Sequence, residues 1–391
     1  MRAFYKILHL LTKNPKMNNI QVLFWIFDSV VLKFIKKPKK SDAKKVLLVF
    51  THALGDIVMF MGSIKYLKEI FDGYEISILC NEQYAELVED QFDNVIAVDF
   101  QRTSLDPLFR IKYFKTLREY YYEYSIDPME TPTYSPNLFA SHAVVANNKI
   151  GIESDKKDVG KLIKIYRNSI YTRLIHVSSL EHRVKNFSDF FSAIADKRFE
   201  PHITKLPTYQ DSKLPEKYFI VYPSASIPLK RWPVEQYAEI ANRVYENYEL
   251  PLVCCGTVLD RETVDEFIKL LIPGIKIIDL VEKTSVKEFI NVIGNANIVI
   301  TNDTSVYHIA LATRRKTCIV TGEYTYDSFA DYYAVDLHDE LRLEIVSGNM
   351  DCRNCFGGCS KKINRAYPCL ECVETDNVWN LVKQLMNDEC E

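Results

Sequence analysis

Twice along this chain a short, wholly apolar run feeds a stretch whose apolar residues recur at helical spacing, and then the alternation repeats. Residues 46–50 (VLLVF) open the first series, helical spacing follows over 57–71, and further strand-like runs stand at 75–79 and 94–98. A run of apolar residues without polar alternation suits a strand buried on both faces, as in a parallel sheet covered by helices. The pattern therefore predicts an α/β fold with doubly wound, Rossmann-like domains. The signal weakens over 103–148, where Pro and Tyr cluster, and returns near 149–152 and in a helical stretch around 184–195.

The second series predicts strands at 218–222, 252–255, 275–279, 297–301 and 317–321. Helices fall between them at 234–248, 260–271, 285–295 and 305–312. A polar, proline-bearing segment, PHITKLPTYQDSKLP over 201–215, marks the join. Expected boundaries are 44–205 for the first domain, 206–217 for the linker and 218–345 for the second domain, with 1–43 and 346–391 set apart. In doubly wound sheets ligands bind outside the carboxyl ends of the strands, so two such domains predict a cleft where those ends face.

Net charge is −3 over 391 residues, so no global basic field points to a nucleic-acid partner. The Tyr and Phe residues scatter along the chain and read as core and pocket lining rather than base-stacking platforms. No apolar segment with a small-residue cleavage site follows the charged start, which predicts a cytoplasmic protein. Residues 20–35 (IQVLFWIFDSVVLKFI) are apolar but broken by Asp28 and Lys33, and are shorter than the ~20 residues a spanning helix needs. Lys36, Lys37, Lys39, Lys40, Lys44 and Lys45 follow. Two readings stand side by side: a helix lying in a membrane interface, at the inner face of the membrane, or a helix packed on the protein's own surface with a solvated basic linker.

Three strand-end segments carry chemistry. Thr51-His52-Ala53-Leu54-Gly55-Asp56 follows the first strand, where Gly55 permits a tight turn and the Asp56 carboxylate can take a proton from an attacking hydroxyl or simply cap a helix. In the second, Ser224 and Ser226 offer hydroxyls, and Lys230 of Lys230-Arg231-Trp232-Pro233 offers a charge for a pyrophosphate or only half of a surface basic pair. The third is Thr301-Asn302-Asp303-Thr304-Ser305-Val306-Tyr307-His308, where the N–H groups of Thr304 and Ser305 open a helix suited to an anion. Asp303 as a cap and His308 as a core histidine are the structural alternatives.

The ordered set of an Asp after Leu-Gly, a Lys-Arg-Trp-Pro and an Asn-Asp-Thr-x-x-x-His resembles glycosyltransferase family nine, which contains the ADP-heptose:lipopolysaccharide heptosyltransferases. The match runs over about 44–385, with weaker agreement at Lys149-Ile150-Gly151, at Gly256 with Asp260, and from Asp279 to Ser285. The resemblance implies the GT-B fold, a nucleotide-sugar donor held by the second domain, and inverting transfer without a catalytic metal. It implies Asp56 as base, Lys230 near the donor phosphates, Asp260 near the ribose, and Asp303, Thr304, Ser305 and His308 on the donor. Departures are His52-Ala53 where the family often has Ser, Ser305 where it usually has Gly, and Gly322-Glu323-Tyr324 where it commonly has Gly-Pro-Thr.

Five of the ten cysteines fall between Cys352 and Cys372. Cys352-x2-Cys355 and Cys369-x2-Cys372, with Cys359 between them and Gly357-Gly358 beside it, have the spacing of a structural zinc or iron knuckle. Reduced free thiols or a disulfide are the alternative. The expectation is thus an inverting glycosyltransferase moving a sugar, heptose from ADP-heptose, to a lipopolysaccharide core or another glycan or lipid-linked acceptor. The alternatives are a protein glycosyltransferase with the same donor and a non-catalytic sugar-nucleotide-binding protein of the same fold.

Overall fold

The computed structural model describes residues 21–130, 135–153, 161–211, 213–335, 341–356 and 358–388. Residues 1–20 of the N-terminal segment, residue 212 of the expected linker and Gly357 lie outside the described residues. By contacts the chain divides into two compact units. The first comprises 1–53, 63–179 and 186–200, and the second 54–62, 180–185 and 201–391. The short segment carrying Asp56 thus packs with the second unit, and so does the cysteine-bearing 346–391.

Among the described residues the first unit holds six parallel strands: β1 (Lys45–Val49), β2 (Glu75–Asn81), β3 (Asn94–Val98), β4 (Tyr121–Ile126), β5 (Val145–Glu153) and β6 (Arg173–His176). Their order is β3-β2-β1-β4-β5-β6. From Val46 to Phe50 every residue is fully buried, as the unbroken apolar run requires. The second unit repeats the plan with β7 (Phe219–Tyr222), β8 (Leu252–Cys254), β9 (Ile277–Asp279), β10 (Ile298–Asn302), β11 (Thr317–Thr321) and β12 (Leu343–Ser347), in the order β12-β11-β10-β7-β8-β9. Each order reverses beside the unit's first strand, so each unit has a switch point, at β1/β4 and at β7/β10.

Local chemistry explains the helices that matter below. In the first unit α1 (Gln21–Phe34) turns Phe24, Asp28 and Leu32 inward, and Asp28 is fully buried. Arg110, itself buried, pairs with Asp28 through Nε at 2.9 Å and through Nη2. The helical stretch expected over 57–71 is two helices, α2 (Leu54–Met61) and Ile64–Ile70, and between them Gly62 lies against the His202 carbonyl, where a Cβ would not fit. In the second unit α3 (Val234–Tyr248) ends on Glu249 in the left-handed conformation, and Ser285 and Glu288 form a reciprocal capping box for Val286–Gly294. Helix α4 (Ser305–Ala312) follows β10 and is buried from Val306 to Ala312. The last helix, α5 (Thr375–Asn387), lays Val378, Val382 and Leu385 into the same core as Phe219, Ile298 and Cys318.

Candidate functional site

The switch point of the second unit gathers most of the residues singled out in the sequence. Asn302, the last residue of β10, is fully buried and ties the two central strands together. Its amide donates to the Pro223 and Ser224 carbonyls at 3.0 and 3.3 Å, and its oxygen accepts from the Trp232 N–H at 2.9 Å. This staple fixes the loop after β7 and so sets Lys230. The Lys230 ammonium lies 3.2 Å from an Asp303 carboxylate oxygen, whose side chain is only 5% exposed. Thr325 donates to the same oxygen at 3.3 Å. Asp303 is therefore not the helix cap. Thr304 occupies the N-cap of α4, and no side chain bonds its turn. The Ser224 hydroxyl is buried without a hydrogen-bond partner among the described residues, whereas Ser226 is exposed.

Tyr324, where the family commonly has Thr, has a physical role. The Lys230 ammonium sits 4.6 Å from the centre of its ring, close enough for a cation–π attraction. The other half of that departure, Glu323, accepts from the Ser347 hydroxyl at 2.5 Å. Tyr324 in turn packs on Tyr367 and Cys369, with Cys355 and Cys359 against the same cluster. Burial pushes the Cys369 thiol up, and nearby Cys352 and Cys355 add to the effect. Cys372 instead points its sulfur toward the Gly348 carbonyl at 3.6 Å. The all-thiol set suits zinc or iron. Among the described residues, however, no three His, Cys, Asp or Glu side chains are spaced as they stand to hold a metal.

Gly55 and Asp56 open α2 in the same unit. A Cβ on Gly55 would lie 2.9 Å from His308 Cδ2 and 3.3 Å from Ser305 Cα, so only glycine lets this turn meet α4. Asp56 lies in the first turn of α2, and His308 and Tyr332 both feel its charge. His308 is buried with Nδ1 2.9 Å from the Tyr332 hydroxyl, and burial lowers its pKa, so its imidazole is neutral at neutral pH. His182 packs against Tyr332 with the rings tilted and their centres 4.3 Å apart, and burial lowers its pKa to about 3. His182 and Tyr332 were not singled out in the sequence. Nothing in their local spacing marks them, since 180–185 and 332 join α4 only through tertiary packing.

Asp260 is placed elsewhere in the second unit, in the short 3-10 turn Val258–Asp260 that follows β8. One carboxylate oxygen accepts from the N–H and the hydroxyl of Thr257, each at 2.8 Å. Gly256, at φ +143°, leaves room for that carboxylate, since a Cβ would sit 2.9 Å from it.

The first unit has its own polar cluster at its switch point, which the sequence did not reveal. Asn137 accepts from the Thr51 N–H at 2.9 Å and donates to the Val49 carbonyl and to Asp127, at the end of β4. Asp127 also accepts from the Tyr171 hydroxyl at 2.5 Å and the Met129 N–H at 3.2 Å. Its hydrogen-bond donors among the described residues are neutral, and burial pushes its pKa to about 6. The Tyr171 ring lies over Gly151, where a Cβ would come within 2.7 Å of it. Beside this cluster the Arg167 guanidinium, 1% exposed, has no hydrogen-bond partner among the described residues on any of its three nitrogens.

The family model described as glycosyltransferase family 9 (heptosyltransferase) matches residues 110–333. Lipooligosaccharide heptosyltransferase 2 of Haemophilus influenzae is 31% identical over 98 residues, which are 24% of this chain and 28% of that protein. The chain thus aligns with little more than a quarter of that relative. A glycosyl transferase family 9 structure from Veillonella parvula matches with a TM-score of 0.68 at 14% identity, over 90% of this chain and all of that one. The ADP-heptose lps heptosyltransferase II of E. coli matches with a TM-score of 0.62 at 15% identity, over 88% of this chain and 98% of that one. These structural likenesses extend to the GT-B fold. With a family model matched over more than half of its length, the chain belongs to glycosyltransferase family 9, the heptosyltransferase family.

Proposed function

We propose that this protein is an inverting glycosyltransferase. It moves heptose from ADP-heptose to the core of a lipopolysaccharide or another cell-surface glycan, at the cytoplasmic face of the membrane. The observation that carries this reading is the pairing of Lys230 with Asp303 at the switch point, with the unpartnered Ser224 hydroxyl beside the same strand ends. A lysine held by a carboxylate and an aromatic ring can turn to a diphosphate when one arrives. The first turn of α4 adds N–H groups that no side chain caps. The relatives support the sugar: one is named for ADP-heptose and lps, and another for lipooligosaccharide.

In this reading Asp56 accepts the proton of the attacking acceptor hydroxyl, which displaces the nucleoside diphosphate from the anomeric carbon. Lys230 and the α4 N-terminus stabilise the charge that develops on the leaving group. Ser305, where the family usually has Gly, adds a hydroxyl at that turn. The acceptor half rests on the first unit, where Arg167 keeps buried N–H donors for an acceptor oxygen. A structural zinc or iron would be held by Cys352, Cys355, Cys369 and Cys372, with Cys359 as a further candidate, once the thiols draw together, and Cys355, Cys359 and Cys369 already pack against Tyr324 under Lys230. Calorimetry with ADP-heptose, UDP-sugars and GDP-sugars tests the donor. Saturable binding of ADP-heptose that weakens in Lys230→Ala is expected. Binding of none of them, or binding indifferent to Lys230, overturns the assignment.

A further inference from the structure

We infer that the first unit carries a docking site for anionic phospholipid, built from the outer face of α1 and a cationic pocket that follows it. Leu23, Ile26, Val30 and Phe34 stand at i, i+3, i+7 and i+11, so they form one stripe along the helix. All four are exposed, from 49% at Leu23 and Val30 to 86% at Phe34. The opposite face is locked into the unit by the buried Asp28–Arg110 pair, so the stripe cannot roll inward. Arg118 then caps the end of the helix by donating to the Leu32 carbonyl and, at 2.9 Å, to that of Ile35.

The chain leaves that capped end directly into a pocket of about 520 Å³ lined by Lys36, Lys37, Lys39, Lys45 and Arg118 with Tyr120. Glu119 is the one acid on its wall, and Lys45 is already held by Glu75 at 2.6 Å. Lys36, Lys37 and Lys39 are the charges left for a ligand. They are exposed, and no carboxylate lies within ion-pair distance of them among the described residues. An apolar stripe running into unpaired lysines fits a bilayer surface, with acyl chains against Phe34 and headgroup phosphates in the pocket. Among the described residues no helix is long and apolar enough to cross a membrane. A second copy of the chain fits worse. Residues 1–45 carry eleven Lys and Arg against two Asp, and an isologous pair would set like charges face to face. This site goes beyond the transfer reaction and does not depend on the donor.

The test is co-sedimentation of the full chain with vesicles of phosphatidylcholine alone and of phosphatidylcholine with 30 mol% phosphatidylglycerol (roughly the charge density at which clustered lysines bind). Strong partition onto the anionic vesicles is expected. Lys36→Gln/Lys37→Gln/Lys39→Gln should lower it roughly a hundredfold, from the loss of three lysines near a charged surface. Ile26→Asp/Phe34→Asp should lower it at least about tenfold, because both side chains are solvent-facing and meet the acyl boundary only on binding. Far-UV circular dichroism serves as the folding control for both variants. Equal partition onto the two kinds of vesicle, no partition at all, or partition indifferent to either variant overturns the site. So does a concentration-dependent dimer that Phe34→Asp abolishes while vesicles leave the protein in solution.

Discussion

Replacing Asp127 by Asn should stabilise the protein at neutral pH relative to the wild type, and should do so less and less as the pH falls. The carboxyl is buried at the end of β4, with Tyr171, Asn137, Ser141 and the Met129 N–H as its partners. None of these is a cation, and desolvation is the largest influence on it, raising the folded pKa to about 6. In the unfolded chain an Asp titrates near ~3.9. Below about pH 4 both states hold the proton and folding gains nothing from it. Between about pH 4 and 6 the unfolded chain ionises while the folded one keeps its proton, so stability is lost as the pH rises through that window. A shift from ~3.9 to about 6 corresponds to about 3 kcal/mol, all of it lost by pH 7. Asparagine cannot ionise, so its stability minus that of the wild type should grow by about that amount from pH 4 to pH 7. Urea unfolding of both proteins at unit pH steps, read by ellipticity, measures the difference directly. Other titrating groups cancel in the subtraction. A difference flat to within about 0.5 kcal/mol would mean that Asp127 ionises as an ordinary carboxylate. The desolvation argument would then fail.

Asp56→Asn should keep donor affinity within about twofold in calorimetry while turnover falls about 10²–10⁴-fold, the usual worth of a general base; unchanged turnover removes Asp56 from the chemistry. Tyr324→Leu should weaken ADP-heptose binding about threefold to thirtyfold by removing the ring beneath Lys230, and Tyr324→Phe should not. If both weaken it alike, the ring face is not what holds the lysine. Arg110→Met should cost about 3–5 kcal/mol in unfolding free energy by taking the guanidinium away from the buried Asp28 carboxylate, and Arg110→Met/Asp28→Leu should recover most of it; a double variant no better than the single refutes the pairing argument. Elemental analysis of the purified chain should find about one zinc or iron per molecule, reduced in Cys352→Ser/Cys355→Ser, as a thiolate knuckle requires. Metal-free protein with an unchanged melting curve would count against the knuckle.

The sequence disclosed the parts of this molecule whose signals are local. Runs such as VLLVF at 46–50 and FIVY at Phe219–Tyr222 are buried on both faces, and burial leaves its mark as an unbroken apolar string. The strand β4, YYEYSI, was not legible, because Glu123 and Tyr124 interrupt the string and tyrosines fit strand and loop alike. The helix Pro136–Ala143 was hidden for a related reason. Its buried face includes Asn137 and Ser141, polar residues that earn their burial only through Asp127. At the second switch point Lys230 and Asp303 were legible as separate candidates. Their pairing across 73 positions was not, nor was the ring of Tyr324 beneath the lysine. The departures at Glu323 and Tyr324 looked like losses against a motif. In the structure they are substitutions with partners of their own.

The two units share a strand order, yet their switch points are wired differently, and that difference bears on which of them handles an anion. In both, one buried asparagine spans the gap between the two central strands, Asn137 in the first and Asn302 in the second. In both, a buried aspartate stands at the end of the fourth strand in chain order. Asp127 takes its hydrogen bonds, among the described residues, from neutral donors only, so its charge is costly and burial keeps its proton on up to about pH 6. Asp303 meets the Lys230 ammonium at 3.2 Å. A dianionic diphosphate approaching Asp303 alone would be repelled. With Lys230 present the pair is close to neutral, and the ligand can draw the lysine toward itself while Thr325 stays bonded to the carboxylate. Asp303 on this account is the holder of Lys230 rather than a contact to phosphate. Asp303→Asn should then blunt donor affinity by leaving Lys230 misplaced, while Lys230→Ala should cost more, because it removes the attraction and leaves the repulsion. Equal losses from the two substitutions would mean that each touches the donor on its own account.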